Sequence, residues 1–130
     1  MRVLLVDDHP VVRQAVRLLL EEPDIEIAGE AANGREAVAF TRRLQPDVVL
    51  MDVSMPIMNG IQATRAIHAE RPRVCVIGLS IHGEEAQAEA MREAGAMDYV
   101  PKTALEETLL AVMRGCYTRK REARPPAAGA

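Results

Sequence analysis

The fold is decided by a short apolar run between two aspartates, Asp-Val-Val-Leu-Met-Asp at positions 47–52. Two other runs, Arg2 to Val6 and Arg73 to Leu79, are also nearly continuous in apolar residues. Parallel strands that are covered by helices on both faces have this composition, whereas strands with one wet face alternate apolar and polar residues. The three runs therefore predict the centre of a parallel sheet.

Two further β-branched runs, Ile25 to Gly29 and Met97 to Val100, lie between segments with helical periodicity. An alternation of strands and helices is typical of a parallel sheet with crossover helices on both faces. We therefore predict an α/β fold with a doubly wound, five-stranded sheet. The five helices are predicted to begin at or near Pro10, Arg35, Gly60, Glu84 and Ala104.

The size and composition of the chain fit one soluble domain of ordinary size. It has 130 residues, 48% of them hydrophobic and 2% aromatic. No apolar run approaches the roughly 20 residues that span a bilayer. Met1 leads directly into a predicted strand, so we expect no signal peptide and a cytoplasmic location without membrane contact. In that reducing compartment Cys75 and Cys116, which lack metal-ligand or redox spacing, are expected to be isolated, small buried residues.

Charge is unevenly distributed along the chain. The stretch from Arg114 to Ala130 carries +4, which leaves −7 for the rest of a chain whose total is −3. An acidic body disfavours direct nucleic acid binding, because phosphate neutralisation supplies most of that affinity. We predict one domain over residues 1–116 and a basic, then Pro/Ala-rich, disordered tail or linker over residues 117–130.

The fourth predicted helix is unusually poor in large apolar residues. Between Glu84 and Ala94 only Met91 is large and apolar, so little apolar surface anchors this helix. The helix is either able to shift or an edge helix without a special role, and its composition favours neither interpretation.

Polar side chains follow four of the predicted strands at their carboxyl ends. Because these ends meet at one edge of a doubly wound sheet, where ligands bind, the side chains should lie close together. They are Asp7 and Asp8, then Asp52, then Ser80, and finally Lys102, which follows Tyr99 of the last strand.

Three clustered carboxylates require positive charge nearby. At 4 Å each pair would repel by about 4 kcal/mol with an effective dielectric constant near 20. Lys102 and a divalent cation such as Mg²⁺ or Mn²⁺, which prefers oxygen ligands, would supply that charge. His9, His68 and His82 are on separate segments, which disfavours a zinc site. The convergence of carboxylate, metal, hydroxyl and amine points to phosphoryl transfer onto an aspartate.

Each residue taken alone has an ordinary interpretation. Asp8 could cap the helix that begins at Pro10. Ser80 could be a loop hydroxyl and Lys102 a solvated surface charge. Only their combination at four strand ends supports a functional site.

The motifs around these residues resemble the receiver domain of bacterial two-component response regulators over about residues 2–114. The resemblance is carried by Val-Asp-Asp-His-Pro at 6–10, Asp-Val-Ser-Met-Pro-Ile-Met-Asn-Gly at 52–60, Gly-Leu-Ser at 78–80 and Tyr-Val-Pro-Lys at 99–102. The sequence looks most like the subfamily with a C-terminal helix-turn-helix of the LuxR/NarL type. The resemblance implies a flavodoxin-like sheet with strand order 2-1-3-4-5.

The resemblance also implies a role for each site residue. Asp52 would accept the phosphoryl group, and Lys102 and Ser80 would contact it. Ser80 and Tyr99 would act as switch residues that alter the surface around the fourth helix and last strand. The Mg²⁺ ligands would be Asp7, Asp8, Asp52 and the backbone carbonyl of Ser54.

The implied partners are a sensor histidine kinase or a phosphotransfer protein, and a second copy of the chain in a phosphorylation-dependent homodimer. We expect no turnover enzyme. The 130 residues leave no room for an output domain, so we expect the effect to pass through a partner or a missing segment. One departure from the family pattern is that Pro101 precedes Lys102 and Thr103 follows it, which leaves the isomer of the Lys102–Thr103 peptide open.

Two other functions are compatible with parts of the pattern. An aspartate-nucleophile phosphatase would need a second carboxylate near the nucleophile, typically two residues on, but position 54 is Ser. A receiver-like interaction domain without phosphorylation would not need the five polar residues at the strand ends.

Overall fold

Five parallel strands form the centre of the molecule. The structure is a computed structural model that describes residues 1–80 and 85–122. Its strand order is β2-β1-β3-β4-β5, so the predicted sheet and its order are confirmed. The strands are β1 (Arg2–Val6), β2 (Glu26–Ala31), β3 (Val48–Asp52), β4 (Cys75–Ser80) and β5 (Asp98–Pro101).

Helices follow each strand and cover both faces of the sheet. They are α1 (Pro10–Leu19), α2 (Gly34–Leu44), α3 (Gly60–Glu70), α4 (Glu85–Ala94) and α5 (Leu105–Glu122), with a short 3₁₀ turn at Lys102–Ala104 before α5. Among the described residues, no helix is long and apolar enough to cross a membrane.

The core has two layers because alternate residues of each strand point to opposite faces. On one face, Leu4 and Val49 pack with residues of α2, α3 and α4. On the other face, Leu5 and Leu50 pack with residues of α1 and α5. All five residues of β3 are buried, which explains its continuous apolar run.

Polar caps set the starts of two helices near the site. The Asn33 side chain accepts a hydrogen bond from the Glu36 amide at the start of α2. Asn59 and Gln62 form a reciprocal capping box at the start of α3. The first helix instead begins with Pro10 after His9, whose side chain makes no capping bond. Asp8 therefore does not cap α1.

The inner face of α4 is narrow, as its composition predicts. Its buried residues are Ala88, Met91 and Ala94. The Thr64 hydroxyl of α3 donates to the Met91 sulfur over 3.8 Å. One methionine and two alanines bury much less apolar area than the leucines of a typical helix, so a helix that can shift stays a prediction.

The last helix is longer than the predicted domain. Residues 117–122 continue α5, so the prediction of a disordered tail is wrong for this segment. The half-buried Tyr117 packs against the core, and the Lys120 ammonium donates a 2.7 Å hydrogen bond to the Pro72 carbonyl. These contacts hold the last six residues of the helix. The remainder of the predicted tail, residues 123–130, lies outside the described residues.

The two cysteines are buried, as expected, but they are not isolated. Cys75 begins β4 and Cys116 lies in α5, with their Cα atoms 6.2 Å apart. The structure joins them in a disulfide bond. The expectation of two separate thiols is wrong because α5 packs along β4 and brings together residues that are 41 positions apart.

Candidate functional site

The carboxyl edge of the sheet brings together the predicted acidic residues. Asp7 and Asp8 follow β1 directly, and Asp52 is the last residue of the adjacent strand β3. Val6 is paired in register with Met51, which places Asp7 beside Asp52. The Asp7 amide donates a 3.0 Å hydrogen bond to Ala31 of β2, so its backbone is held at this edge.

Lys102 lies between two of these carboxylates. Its ammonium nitrogen is 2.7 Å from Asp7 Oδ2 and 3.2 Å from Asp52 Oδ1. The three side chains are only 9%, 4% and 5% exposed, respectively. Lys102 follows β5 in a 3₁₀ turn, and the described residues contain no cis peptide bond, so the Lys102–Thr103 peptide is trans.

The charges at this edge shift each other's pKa values. Burial raises the pKa of the Asp52 carboxyl to about 6, and the Asp7 charge adds to the increase, although Lys102 opposes it. Burial lowers the pKa of Lys102, but its hydrogen bond to Asp7 and the charge of Asp52 outweigh burial and raise it. One lysine therefore stays charged without compensating the whole cluster.

His9 is a further member of the cluster that the sequence reasoning did not assign. Its Nδ1 lies 3.1 Å from Asp7 Oδ1 and 3.0 Å from Asp8 Oδ1. The His9 amide also donates a 2.9 Å hydrogen bond to Asp7 Oδ1. The only sequence signal was its position between Asp8 and the proline that begins α1. His9 therefore helps to orient both carboxylates.

The donor set fits a cation that prefers oxygen. One ligand atom from each of Asp7, Asp8, His9 and Asp52 lies within 4.8 Å of the others. Asp52 Oδ2 is buried and has no hydrogen-bond partner among the described residues. A buried carboxylate oxygen without a partner is costly, and a bound cation would remove that cost. Three carboxylates suit Mg²⁺ or Mn²⁺ better than zinc.

Among the other histidines, His68 is not part of this cluster. His68 lies in α3 against Gly95, where an added Cβ would come within 2.4 Å of its ring. His82 lies outside the described residues.

The loop after β3 is held close to Asp52. The Gly60 amide donates a 2.8 Å hydrogen bond to the Val53 carbonyl. A Cβ at Gly60 would lie 2.0 Å from the Asp52 carbonyl oxygen, so only glycine allows α3 to begin here. Ser54 lies in this loop, two residues beyond Asp52, and is exposed. Its carbonyl as a metal ligand stays a prediction.

The two predicted switch residues share a contact with α4. The Ser80 hydroxyl is 3.4 Å from Gln87 Oε1, and the Tyr99 hydroxyl is 3.5 Å from the same atom. Ser80 is paired with Pro101, and Gly78 with Tyr99, across β4 and β5. A Cβ at Gly78 would lie 2.7 Å from the Tyr99 ring, so this glycine makes room for the aromatic side chain. Sequence reasoning did not identify Gln87.

Comparison with known proteins gives a consistent family. The sequence profile of the response regulator receiver domain matches residues 3–114. The response regulator UvrY of Escherichia coli is 40% identical over 120 residues, which are 92% of this chain and 55% of that protein. A protein-glutamate methylesterase/protein-glutamine glutaminase of Methanosarcina mazei is 42% identical over 105 residues, which are 78% of this chain and 29% of that enzyme. The chain thus spans about half or less of these relatives.

Solved structures show the same fold. The response regulator domain of Thermotoga maritima CheB superposes with a TM-score of 0.84 and 30% identity, covering 91% of this chain and 96% of that one. A LuxR-family response regulator from Aurantimonas gives a TM-score of 0.78 and 35% identity, covering 88% and 85%.

Proposed function

The chain belongs to the response regulator receiver domain family, and on that premise we propose that Asp52 accepts a phosphoryl group from a histidine kinase or a phosphotransfer protein. Phosphorylation-based signalling in a two-component system is the activity of this family. The observation that carries the proposal is the state of Asp52. Its Oδ1 contacts Lys102 at 3.2 Å, whereas the buried Oδ2 has no hydrogen-bond partner among the described residues.

We assign Asp52 Oδ2 as the attacking oxygen. It would form a bond to phosphorus while the bond from phosphorus to the donor's nitrogen or oxygen breaks and the donor keeps the electron pair. Negative charge in such a transition state is spread over the three equatorial oxygens. The Lys102 ammonium and the Ser80 hydroxyl, both at the same edge of the sheet, are the groups that would bind these oxygens.

Asp7, Asp8, Asp52 and the Ser54 carbonyl would hold Mg²⁺ or Mn²⁺. When bound, such a cation offsets the charge of the carboxylates and of the phosphoryl group. Asp52 must be ionised to attack. Burial raises its pKa to about 6. Without a bound cation, we therefore expect the rate of Asp52 phosphorylation to fall as the pH drops below about 6. A nearby cation would lower this pKa and move the loss of activity to lower pH.

The principal experiment is phosphorylation followed by measurement of intact mass. The full chain is incubated with acetyl phosphate and Mg²⁺, and we expect a mass gain of one phosphoryl group. Asp52→Asn should show no gain, since the amide is not a comparable nucleophile. The matched control is Asp24→Asn, which changes an exposed carboxylate far from the edge and should behave like the native chain. The absence of a gain in the native chain, or an equal gain in Asp52→Asn, would contradict the assignment.

We further propose that phosphorylation alters the surface formed by α4 and β5. A phosphoryl group adds roughly two negative charges and three acceptor oxygens. Ser80 would turn toward these oxygens and leave Gln87, and Tyr99 would move inward. The contacts that hold α4 are few, since its buried face consists of one methionine and two alanines. A two-state element of this kind responds only to the difference in contacts between its states.

The switch is tested with beryllofluoride and Mg²⁺, which mimic the phosphorylated state. We expect large amide chemical-shift changes over residues 85–102 and small ones over α2, which lies on the same face but packs on β1 and β2 at the other side of the sheet. Equal small changes in both segments would rule out the proposed switch. Size-exclusion chromatography of the same samples tests the predicted phosphorylation-dependent homodimer.

A further inference from the structure

A cavity lies at the edge of the sheet opposite Asp52, where the strands begin. It has a volume of about 520 Å³, which is within the range of small-molecule sites. Its walls are the chain entering β3, the loop between α3 and β4, and the last turns of α5. The lining residues that carry positive charge are Arg71, Arg73, Lys120 and Arg121.

Neighbouring acids in the described part of the chain compensate these cations little: only Arg71 acts on one, and its charge is the last of the causes that lower the pKa of Glu70. None of the four forms an ion pair with a carboxylate among the described residues, whereas Arg2, Arg13, Arg17, Arg42 and Arg114 all do. The cavity also contains two carboxylates, but both have other partners. Asp47 Oδ2 accepts a 2.7 Å hydrogen bond from the Arg2 amide, and Glu70 is paired with Arg42.

Two of the cations are partly withdrawn from water. Arg71 Nε is buried and has no hydrogen-bond partner within the described ranges. Burial lowers the pKa of Lys120, whose ammonium donates to the Pro72 carbonyl. Unsatisfied donors and desolvated cations are costly unless an acceptor binds them. An anion in the cavity would supply that acceptor.

The wall formed by α5 is already ordered for such a ligand. Arg121 Nη1 donates a 2.8 Å hydrogen bond to the Tyr117 hydroxyl, and its guanidinium lies 5.4 Å from the centre of the Tyr117 ring. Less side-chain freedom is therefore lost when an anion binds. Guanidinium groups present paired donors that match phosphate oxygens, and two sides of the cavity carry them.

We propose that this cavity binds a polyphosphate group, supplied either by a nucleoside triphosphate or by inorganic polyphosphate. Four cations on two walls suit a ligand with several adjacent negative charges. A concave site of this volume suits a small molecule better than a flat nucleic acid or protein surface. Neither Asp52 nor the switch residues take part, so the site is independent of the proposed phosphorylation.

The test is a titration of the full chain with inorganic triphosphate and, separately, with ATP, without added divalent cation, followed by amide chemical shifts. We expect saturable shifts at residues 45–47, 70–74 and 117–121, and the same shifts in Asp52→Asn. Equal affinity for the two ligands would identify the phosphate chain as the whole ligand. Tighter binding of ATP would identify a nucleotide.

Two variants and a matched control locate the site. Arg73→Gln and Lys120→Gln should each weaken triphosphate binding by about tenfold, as expected for the loss of a charge-assisted hydrogen bond. Arg73 is exposed, so its replacement leaves the fold intact. Arg119→Gln removes the same charge from the adjacent position of α5, outside the cavity, and should change the affinity by less than about twofold. No saturable shifts, an equal loss in Arg119→Gln, or binding only of oligonucleotides would overturn the proposal.

Discussion

Both edges of the sheet hold ion pairs, but the pairs lie in different surroundings. At the carboxyl edge, Lys102 contacts Asp7 and Asp52, and all three side chains are less than a tenth exposed. At the opposite edge, where the strands begin and which we call the amino edge, the ion pairs of Arg2 with Glu26 and of Arg42 with Glu70 are largely open to water.

The difference shows that burial, more than the number of charges, decides how strongly an ionic group affects the protein. Burial and a neighbouring carboxylate raise the pKa of Asp52 to about 6. The exposed Glu70 has its pKa lowered by the hydrogen bond from Arg42. Water screens the exposed pair, so it contributes little to stability, whereas breaking a buried pair leaves a desolvated charge behind.

The largest effect is expected from Lys102→Met. The variant leaves Asp7 and Asp52 without their shared cation, and near neutral pH without divalent cation it should lower the free energy of unfolding by about 3–5 kcal/mol. Urea unfolding measures this loss. The control is Lys120→Met, at the amino edge, which should cost less than about 1 kcal/mol because Lys120 is only partly buried. Equal costs for the two lysine variants would remove the distinction between the edges.

A smaller effect of opposite sign is expected from Asp52→Asn. The folded-state pKa of Asp52, about 6, lies above its ordinary value of 3.8, so the folded protein binds this proton more tightly than the unfolded chain. The resulting stability is complete below about pH 4 and is lost as the pH rises through about 6. Ionised Asp52 should therefore cost up to about 3 kcal/mol at neutral pH, and the neutral amide should avoid that cost.

Urea unfolding of both proteins across this pH range, without divalent cation, is the measurement. The native chain should lose stability relative to Asp52→Asn between about pH 4 and pH 6. The stability of Glu70→Gln, at the amino edge, should change with pH in parallel with that of the native chain over this range. If the native chain were as stable as Asp52→Asn at neutral pH, the raised pKa would be contradicted.

The smallest effect is expected from Arg42→Gln at the amino edge. Its partner Glu70 is exposed and becomes hydrated when the guanidinium is lost, so the urea midpoint should not change measurably. High salt should likewise leave the small difference in urea midpoint between variant and native chain unaltered, because water already screens most of the attraction between Arg42 and Glu70. A change comparable to that of Lys102→Met would show that exposed pairs at this edge are coupled.

Several features were predictable because they depend on local sequence. Continuous apolar runs at 2–6 and 47–51 identified central strands, and Asn-Gly at 33–34 and 59–60 preceded helices, as the caps require. The position of Asp7, Asp8 and Asp52 at one edge followed from parallel topology.

Other features depend on distances between elements that are remote in the chain. Gln87 meets the Ser80 and Tyr99 hydroxyls only because α4 crosses the ends of β4 and β5. Cys75 meets Cys116 because α5 packs on β4. Neither contact has a spacing or motif that a reader of the sequence could use.

The sequence by itself determined the succession of strands and helices along the chain, because the periodicity of apolar residues is a local property. The alternation of strands with crossover helices then implied parallel strands, and so which polar residues would gather at the carboxyl edge. Only the tertiary structure decided how these charges act. The pKa of Asp52, the sharing of Lys102 and the basic cavity behind α5 all depend on burial and on distances of a few ångströms between segments, and electrostatic energies change steeply with both.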